Sequence, residues 1–175
     1  MVLKVDNELY SVMTVQHITP GNWRGMVQTK MRNLRTGKQT ERRFRSEESV
    51  DRISLDTHEL EYLYNEGTDY HFMNTESYEQ LSFDADTLGD SIYYLIPNIK
   101  VQAQFHEEKA ISIDLPGTVD LLVTQTEPGV RAATATNVTK AATLETGLVV
   151  QVPQFVNTGE RIRVDTSEGK YMQRA

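Results

Sequence analysis

The chain has 175 residues, no cysteine and a formal net charge of −7. The missing cysteines exclude disulfides, thiolate metal sites and a cysteine nucleophile. No apolar run approaches the roughly 20 residues of a membrane helix, and the opening MVLKVDNELY lacks a basic-then-apolar secretory signal, so the sequence reads as that of a soluble cytoplasmic protein without a membrane partner.

In chain order, the first segment reads as strands. Met1 to Val5 and Leu9 to Val15 are β-rich and are separated by the turn pair Asp6-Asn7. Met26 to Leu34 alternates, with Met26, Gln28, Lys30 and Arg32 on one side and Val27, Thr29, Met31 and Asn33 on the other. Thr36-Gly37-Lys38 turns this strand onto Gln39 to Arg45, which also alternates. Short strands, tight turns and no helical period suggest a small barrel of SH3-like type over residues 1–52. Between Val15 and Met26, Pro20-Gly21 and Gly25 punctuate a loop whose tip carries Trp23, the one tryptophan of the chain.

Residues 53–116 read as a second β module. Tyr62-Leu63-Tyr64, the run from Tyr70 to Met73 and the run from Tyr78 to Leu81 are short strands, with turns at Asn65-Glu66-Gly67 and Asn74-Thr75-Glu76. A helix is expected next, with Asp84 as N-cap, Leu88, Ile92 and Leu95 on one face and Pro97 as its stop. Val101 to Phe105 and Ala110 to Leu115 complete the module. Several strands with one inserted helix suggest an oligonucleotide-binding (OB) barrel. After the Pro116-Gly117 boundary, residues 117–175 are again all β, with strands at Val119 to Thr126, Ala142 to Leu144, Gly147 to Val152, Arg161 to Asp165 and Tyr171 to Gln173.

Charge is unevenly distributed along these modules. Residues 1–52 carry ten Lys/Arg against six Asp/Glu, and residues 53–175 carry eight against nineteen. Within 20–45 there are eight basic residues, Arg24, Lys30, Arg32, Arg35, Lys38, Arg42, Arg43 and Arg45, against the single acidic Glu41. A basic end on an acidic body suggests a surface that meets phosphate. The same alternation also describes the solvated face of a two-sided sheet, and composition leaves both readings open.

Residues 140–171 carry Lys140, Glu145, Thr146, Gly147, Val152, Pro153, Phe155, Gly159, Ile162, Val164, Thr166, Gly169 and Tyr171 at fixed spacing. This resembles the C-terminal pattern of the bacterial translation elongation factor P family. Tyr62-Leu63-Tyr64, Phe72-Met73-Asn74, Tyr78-Glu79-Gln80, Thr126-Glu127-Pro128-Gly129, His17, Pro20-Gly21, Thr29-Lys30, Asn33-Leu34 and Thr36-Gly37 extend the likeness over the whole chain. The resemblance implies three β-barrel domains, one SH3-like or KOW-like and two OB-folds, in an L-shaped arrangement that mimics tRNA. It further implies a non-enzymatic, monomeric factor without cofactor or metal. Its partners would be the 70S ribosome, ribosomal RNA and the P-site peptidyl-tRNA, and its task would be relief of stalling on consecutive prolines. On that basis Lys30, Arg32, Arg35, Arg42, Arg43 and Arg45 become candidates for backbone contact with tRNA or ribosomal RNA, and Tyr171 and Arg174 for ribosome contact by the C-terminal domain. The alternative is a paralogue, or another OB/SH3 RNA-binding protein, with a different target.

The family's loop tip usually carries a lysine or arginine that is modified. Counted without a gap from Pro20-Gly21 and from Thr29-Lys30, that position is Asn22, which has no amine to acylate. Trp23 offers a ring for stacking, and Arg24 a permanent charge with a planar donor fork. Ala132-Ala133 stand where the family usually has Gly-Asp, and Ala141 where it has proline. The chain also starts later than the family pattern. Either the start codon is misassigned or the barrel is trimmed of its first strand, which would leave an open edge that invites pairing with other chains.

Elsewhere the chemistry is sparse. His17, His58, His71 and His106 lack metal-ligand spacing, and Asp84, Asp86 and Asp90 read as capping and first-turn charges of the helix. No catalytic motif is present. Asn22, Trp23 and Arg24 therefore define a tip that works unmodified or with a modification on Arg24. Intact mass spectrometry of the native protein is expected to show no adduct on the tip, or one confined to Arg24. An adduct on Asn22, or a shift that maps to no residue between 20 and 25, overturns this reading.

Overall fold

A computed structural model describes residues 1–19, 21, 25–129 and 138–175. Asn22, Trp23 and Arg24, and the Ala132-Ala133 pair, lie outside the described residues. Among the described residues there are fifteen strands in three five-stranded sheets, and the chain folds as two compact units, residues 1–57 with 104–112, and 58–103 with 113–175.

The first sheet is built from β1 (Val2–Val5), β2 (Glu8–Ile18), β3 (Met26–Asn33), β4 (Gln39–Arg45) and β5 (Asp51–Ile53), in the order β4-β3-β2-β1-β5. β1 lies inside the sheet, antiparallel to β2 on one side and to β5 on the other, and so is not an edge. β5 was not evident in the sequence, because three residues are too few to carry a period. The alternation expected for β3 is borne out in its second half: Thr29, Met31 and Asn33 are buried, while Lys30 and Arg32 are exposed. Met31 and Phe44 join Leu3 and Val5 in a small core flanked by Tyr10 and Val12.

Buried Asn33 closes the β3–β4 turn. Its Nδ2 donates to Glu8 Oε2 at 2.7 Å, and its Oδ1 accepts from the backbone N–H groups of Arg35 and Thr36, each at 2.9 Å. Tyr10 Oη donates to the same Glu8 oxygen at 3.0 Å, and Arg35 reaches the other at 2.7 Å. Every polar atom of the Asn33 side chain thus has a partner, as a buried amide requires.

The second sheet contains β6 (Asp56–Glu66), β7 (Asp69–Asn74), β8 (Gln80–Asp84), β9 (Lys100–His106) and β10 (Lys109–Asp114), in the order β10-β9-β6-β7-β8. The third contains β11 (Thr118–Thr126), β12 (Thr139–Leu144), β13 (Val149–Pro153), β14 (Arg161–Asp165) and β15 (Lys170–Arg174), in the order β13-β12-β11-β14-β15. Counted within each module, both run third, second, first, fourth, fifth. They share one topology although their sequences do not visibly repeat.

The helix between β8 and β9 is shorter than expected. One α-turn, α1 (Ala85–Leu88), passes into a 3-10 turn over Gly89–Tyr94. Asp84 is the N-cap as expected and accepts from Thr87 N at 2.6 Å. Gly89 at φ +55 ends the α-turn. The three-residue period that follows brings Tyr94, not Ile92, to the buried side in step with Leu88. The strand expected at Tyr78 begins instead at Gln80, because Tyr78 sits at φ +60 in the turn and is exposed.

Tyr94 packs into the core of the third sheet with Val119, Leu121, Leu144, Val152 and Ile162. Thr146 Oγ1 donates to the Tyr93 carbonyl at 2.6 Å, and Thr166 Oγ1 to the Pro116 carbonyl at 2.6 Å. A Cβ placed on Gly169, which has φ +64, would stand 2.8 Å from the Tyr94 hydroxyl. Gly147 at φ +86 has nothing within 4 Å of the same construction. Gly147→Ala is therefore expected to cost about 1–2 kcal/mol in urea denaturation, the left-handed penalty alone. Gly169→Ala should cost more, because the methyl group also displaces a buried ring. Equal losses would show that Tyr94 yields freely.

Candidate nucleic-acid interface

The basic residues singled out in the sequence do not form one surface. Antiparallel pairing sets Met26, Gln28, Lys30 and Arg32 of β3 opposite Arg45, Arg43, Glu41 and Gln39 of β4. Residues directly opposite in a sheet share a face. Lys30, Arg32, Arg43 and Arg45 therefore stand together on the outward face of the β3–β4 ribbon, and all four are exposed. Arg42 lies on the opposite face, opposite buried Thr29, with its guanidinium 5.4 Å from the Phe44 ring centroid and 2.6 Å from Asp6. Arg35 sits in the β3–β4 turn and is paired with Glu8. Of the six candidates on this end, four share the face and two serve its folding.

Within the face the cations are not equivalent. Lys30 Nζ lies 3.2 Å from Glu41 Oε1, and Gln28 Nε2 donates to Glu41 Oε2 at 3.0 Å. Arg32 and Arg43 make no ion pair among the described residues. The hydrogen bond from Lys30, then that from Gln28, then the Lys30 charge hold the Glu41 carboxyl below the usual glutamate range. In sequence Glu41 is simply the one acid among the eight bases of residues 20–45; its cross-strand position is what gives it weight.

β2 and β3 continue beyond the core as a long hairpin, paired out to Ile18 and Met26. The base of its loop is fixed at Gly25, whose carbonyl accepts from Ser46 Oγ at 2.6 Å and from Ser46 N at 3.2 Å. A Cβ on Gly25 would lie 2.9 Å from Ser46 Oγ and 3.2 Å from His17 Nε2, so any larger residue would push these side chains aside.

In the third sheet, Arg174 is the last residue of β15. Its guanidinium stacks 4.5 Å from the Phe155 ring centroid, donates to the Phe155 carbonyl at 3.0 Å and lies 3.6 Å from Glu160. Tyr171 packs against the third core. Phe155, exposed under this guanidinium, was not weighed as a site residue in the sequence. Among the described residues no group of acidic or histidine side chains could hold a metal, and no helix is long and apolar enough to cross a membrane.

One SH3-like sheet followed by two sheets of OB topology, with a cationic face on the first, defines a tandem β-barrel protein. Comparison with known proteins makes this specific. Residues 1–50 match the model of the elongation factor P KOW-like domain, residues 55–113 the elongation factor P OB domain, and residues 119–174 the elongation factor P C-terminal domain. Elongation factor P of Acidobacterium capsulatum is 53% identical over 175 residues, covering 100% of this chain and 94% of its own. The factor of the same name from Moorella thermoacetica is 44% identical, covering 100% and 95%. A solved structure, eukaryotic translation initiation factor 5A from Methanococcus jannaschii, matches in fold with a TM-score of 0.53 at 15% identity, over 65% of this chain and 85% of that one. The chain belongs to the elongation factor P family of translation elongation factors.

The lowered Glu41 pKa implies a pH dependence. A carboxylate whose folded pKa is depressed adds stability above its unfolded value and loses it as pH falls through the folded value. A carboxyl-carbon NMR titration should place the Glu41 midpoint below that of an ordinary glutamate. Lys30→Met should move it back up; an unmoved midpoint would show that Lys30 is not the main cause.

Proposed function

We propose that this factor binds the 70S ribosome between the P and E sites, acts there as a monomer of the cytoplasm and promotes peptide-bond formation on ribosomes stalled at consecutive prolines. The outward face of β3 and β4 meets the backbone of the P-site peptidyl-tRNA, and the β2–β3 hairpin carries Trp23 and Arg24 toward its aminoacyl end. Tyr171 and Arg174 meet ribosomal RNA at the other end of the chain. Family membership supports the process. The observation that carries the contact is the exposed cationic row of Arg32, Arg43 and Arg45 on one face of the sheet whose hairpin bears the tip.

The physics suits recognition of a folded RNA by its backbone. Arginine forks bind phosphate in a fixed, planar geometry, and shape reading needs no code for base edges. The acidic remainder of the chain suppresses indiscriminate RNA binding, while the basic face orients encounter. A stacking contact from Trp23 is worth about 1–3 kcal/mol. No residue of the chain performs chemistry in this account. The factor holds the peptidyl-tRNA in a reactive geometry, which removes part of the entropic barrier, and the ribosome remains the catalyst.

Reconstituted translation of a proline-rich reporter tests this. The protein is expected to relieve the stall, and Trp23→Ala or Arg24→Ala to abolish relief while ribosome binding persists. Charge reversal at Arg32 or Arg43 should weaken binding most at low salt. Ribosome binding without relief by the unaltered protein would point to a paralogue with other targets, and a salt-independent loss would contradict phosphate contact.

A further inference from the structure

The cationic face has a gap at its centre. Arg32 stands at one end, opposite Gln39, and Arg43 lies four residues further along β4, roughly 13 Å away at the rise of a strand. Between them the cross-strand pair at the middle of the row is Lys30 and Glu41. Both Glu41 oxygens are engaged, one by Lys30 Nζ at 3.2 Å and the other by Gln28 Nε2 at 3.0 Å. Both charged side chains are more than half exposed, at 58% and 51%, so a ligand lying along the row meets the pair directly.

We infer that Glu41 is a specificity-determining residue of this face: it cancels Lys30 and bars phosphate from the centre of the row, so that only an RNA whose backbone meets the Arg32 end and the Arg43–Arg45 end, with a sugar or base edge between, docks fully. This rests on the RNA-binding reading above. Its physical content is separate from the total charge of the face. Attraction by phosphate contact is sequence-independent and grows with each cation that neutralises a phosphate. A Lys–Glu pair adds no net cation, whichever way its side chains turn. An RNA that runs its phosphates along the whole row instead meets a carboxylate at mid-row, and like-charge juxtaposition is an established way to reject a wrong partner. Lys30, which by sequence ranks with the other cations, is on this account a partner of Glu41 first and a phosphate contact last.

Binding of fluorescent tRNA and of a short RNA duplex of unrelated sequence, each followed across a series of salt concentrations, tests the inference with Glu41→Gln, Lys30→Met and Arg32→Met. Glutamine keeps an acceptor for Gln28, and thermal unfolding verifies that the variants are folded. For the duplex, Glu41→Gln should steepen the slope of log affinity against log salt by about 0.7–0.9, which is about threefold more affinity lost across a fourfold rise in salt. The gain for tRNA should be clearly smaller. Lys30→Met should flatten the slope by far less than Arg32→Met. Equal gains on both RNAs, an unchanged slope for Glu41→Gln, or an effect of Lys30→Met as large as that of Arg32→Met would overturn the role of Glu41 while leaving RNA binding intact. Absent or salt-independent tRNA binding by the unaltered protein would instead remove the RNA reading itself, and the inference with it.

Discussion

The hydrogen-bonded closure of the β3–β4 turn by Asn33 and Glu8 is the constraint on which the candidate face depends. Side chains in a strand alternate with period two, so a slip of one residue would exchange the two faces of β3. Asn33 prevents this by binding Glu8 of β2 with its amide N–H and the turn backbone with its oxygen. With that register fixed, Thr29 and Met31 point inward and Lys30 and Arg32 outward. β4 follows from β3, and Arg43 and Arg45 then have one place to go. An Asn side chain that makes all its bonds only in one register specifies that register more strongly than an apolar residue of similar size could.

Much of this was legible in the sequence. The alternation over 26–34, the Thr36-Gly37 turn and the period-2 pattern of 161–165 each announce a strand and its facing. Strands this short are nonetheless imperfectly bounded by local pattern. Tyr78 looks like a strand residue because it is aromatic, but a positive φ places it in the turn. Leu88, Ile92 and Leu95 look like a helix face, and Leu88 and Leu95 are indeed buried, but Gly89 breaks the α-turn and Tyr94 is buried where Ile92 was expected. That aromatic residue goes on to fill the core of the third sheet. Burial created by a distant part of the chain leaves no mark on local periodicity.

The candidate site was legible in composition but not in arrangement. Eight cations between residues 20 and 45 mark the segment as basic. Which of them face outward together depends on parity, and which are already neutralised depends on cross-strand neighbours. Arg42 fails on parity, since it shares the face of Phe44. Arg35 has the right charge but is held by Glu8. Lys30 has the right parity and the wrong neighbour, Glu41. None of these distinctions exists until β3 and β4 are paired.

A net charge of −7 would by itself argue against a nucleic-acid partner. On the proposed reading the total misleads, because charge acts locally. Screening confines a charge's influence to about 8–10 Å in physiological salt. Residues two apart in a strand are separated by roughly 6.6 Å, so Arg43 and Arg45 act as one cationic patch whatever the sign of the chain beyond that range. Within that range Glu41 is set apart from other nearby acids, such as Glu48 against the Arg45 backbone, by standing in the row itself, directly opposite Lys30. Recognition on such a face is decided by local order along two strands. On the proposed reading, a single carboxylate placed among the cations acts at close range, where charges beyond the screening length do not.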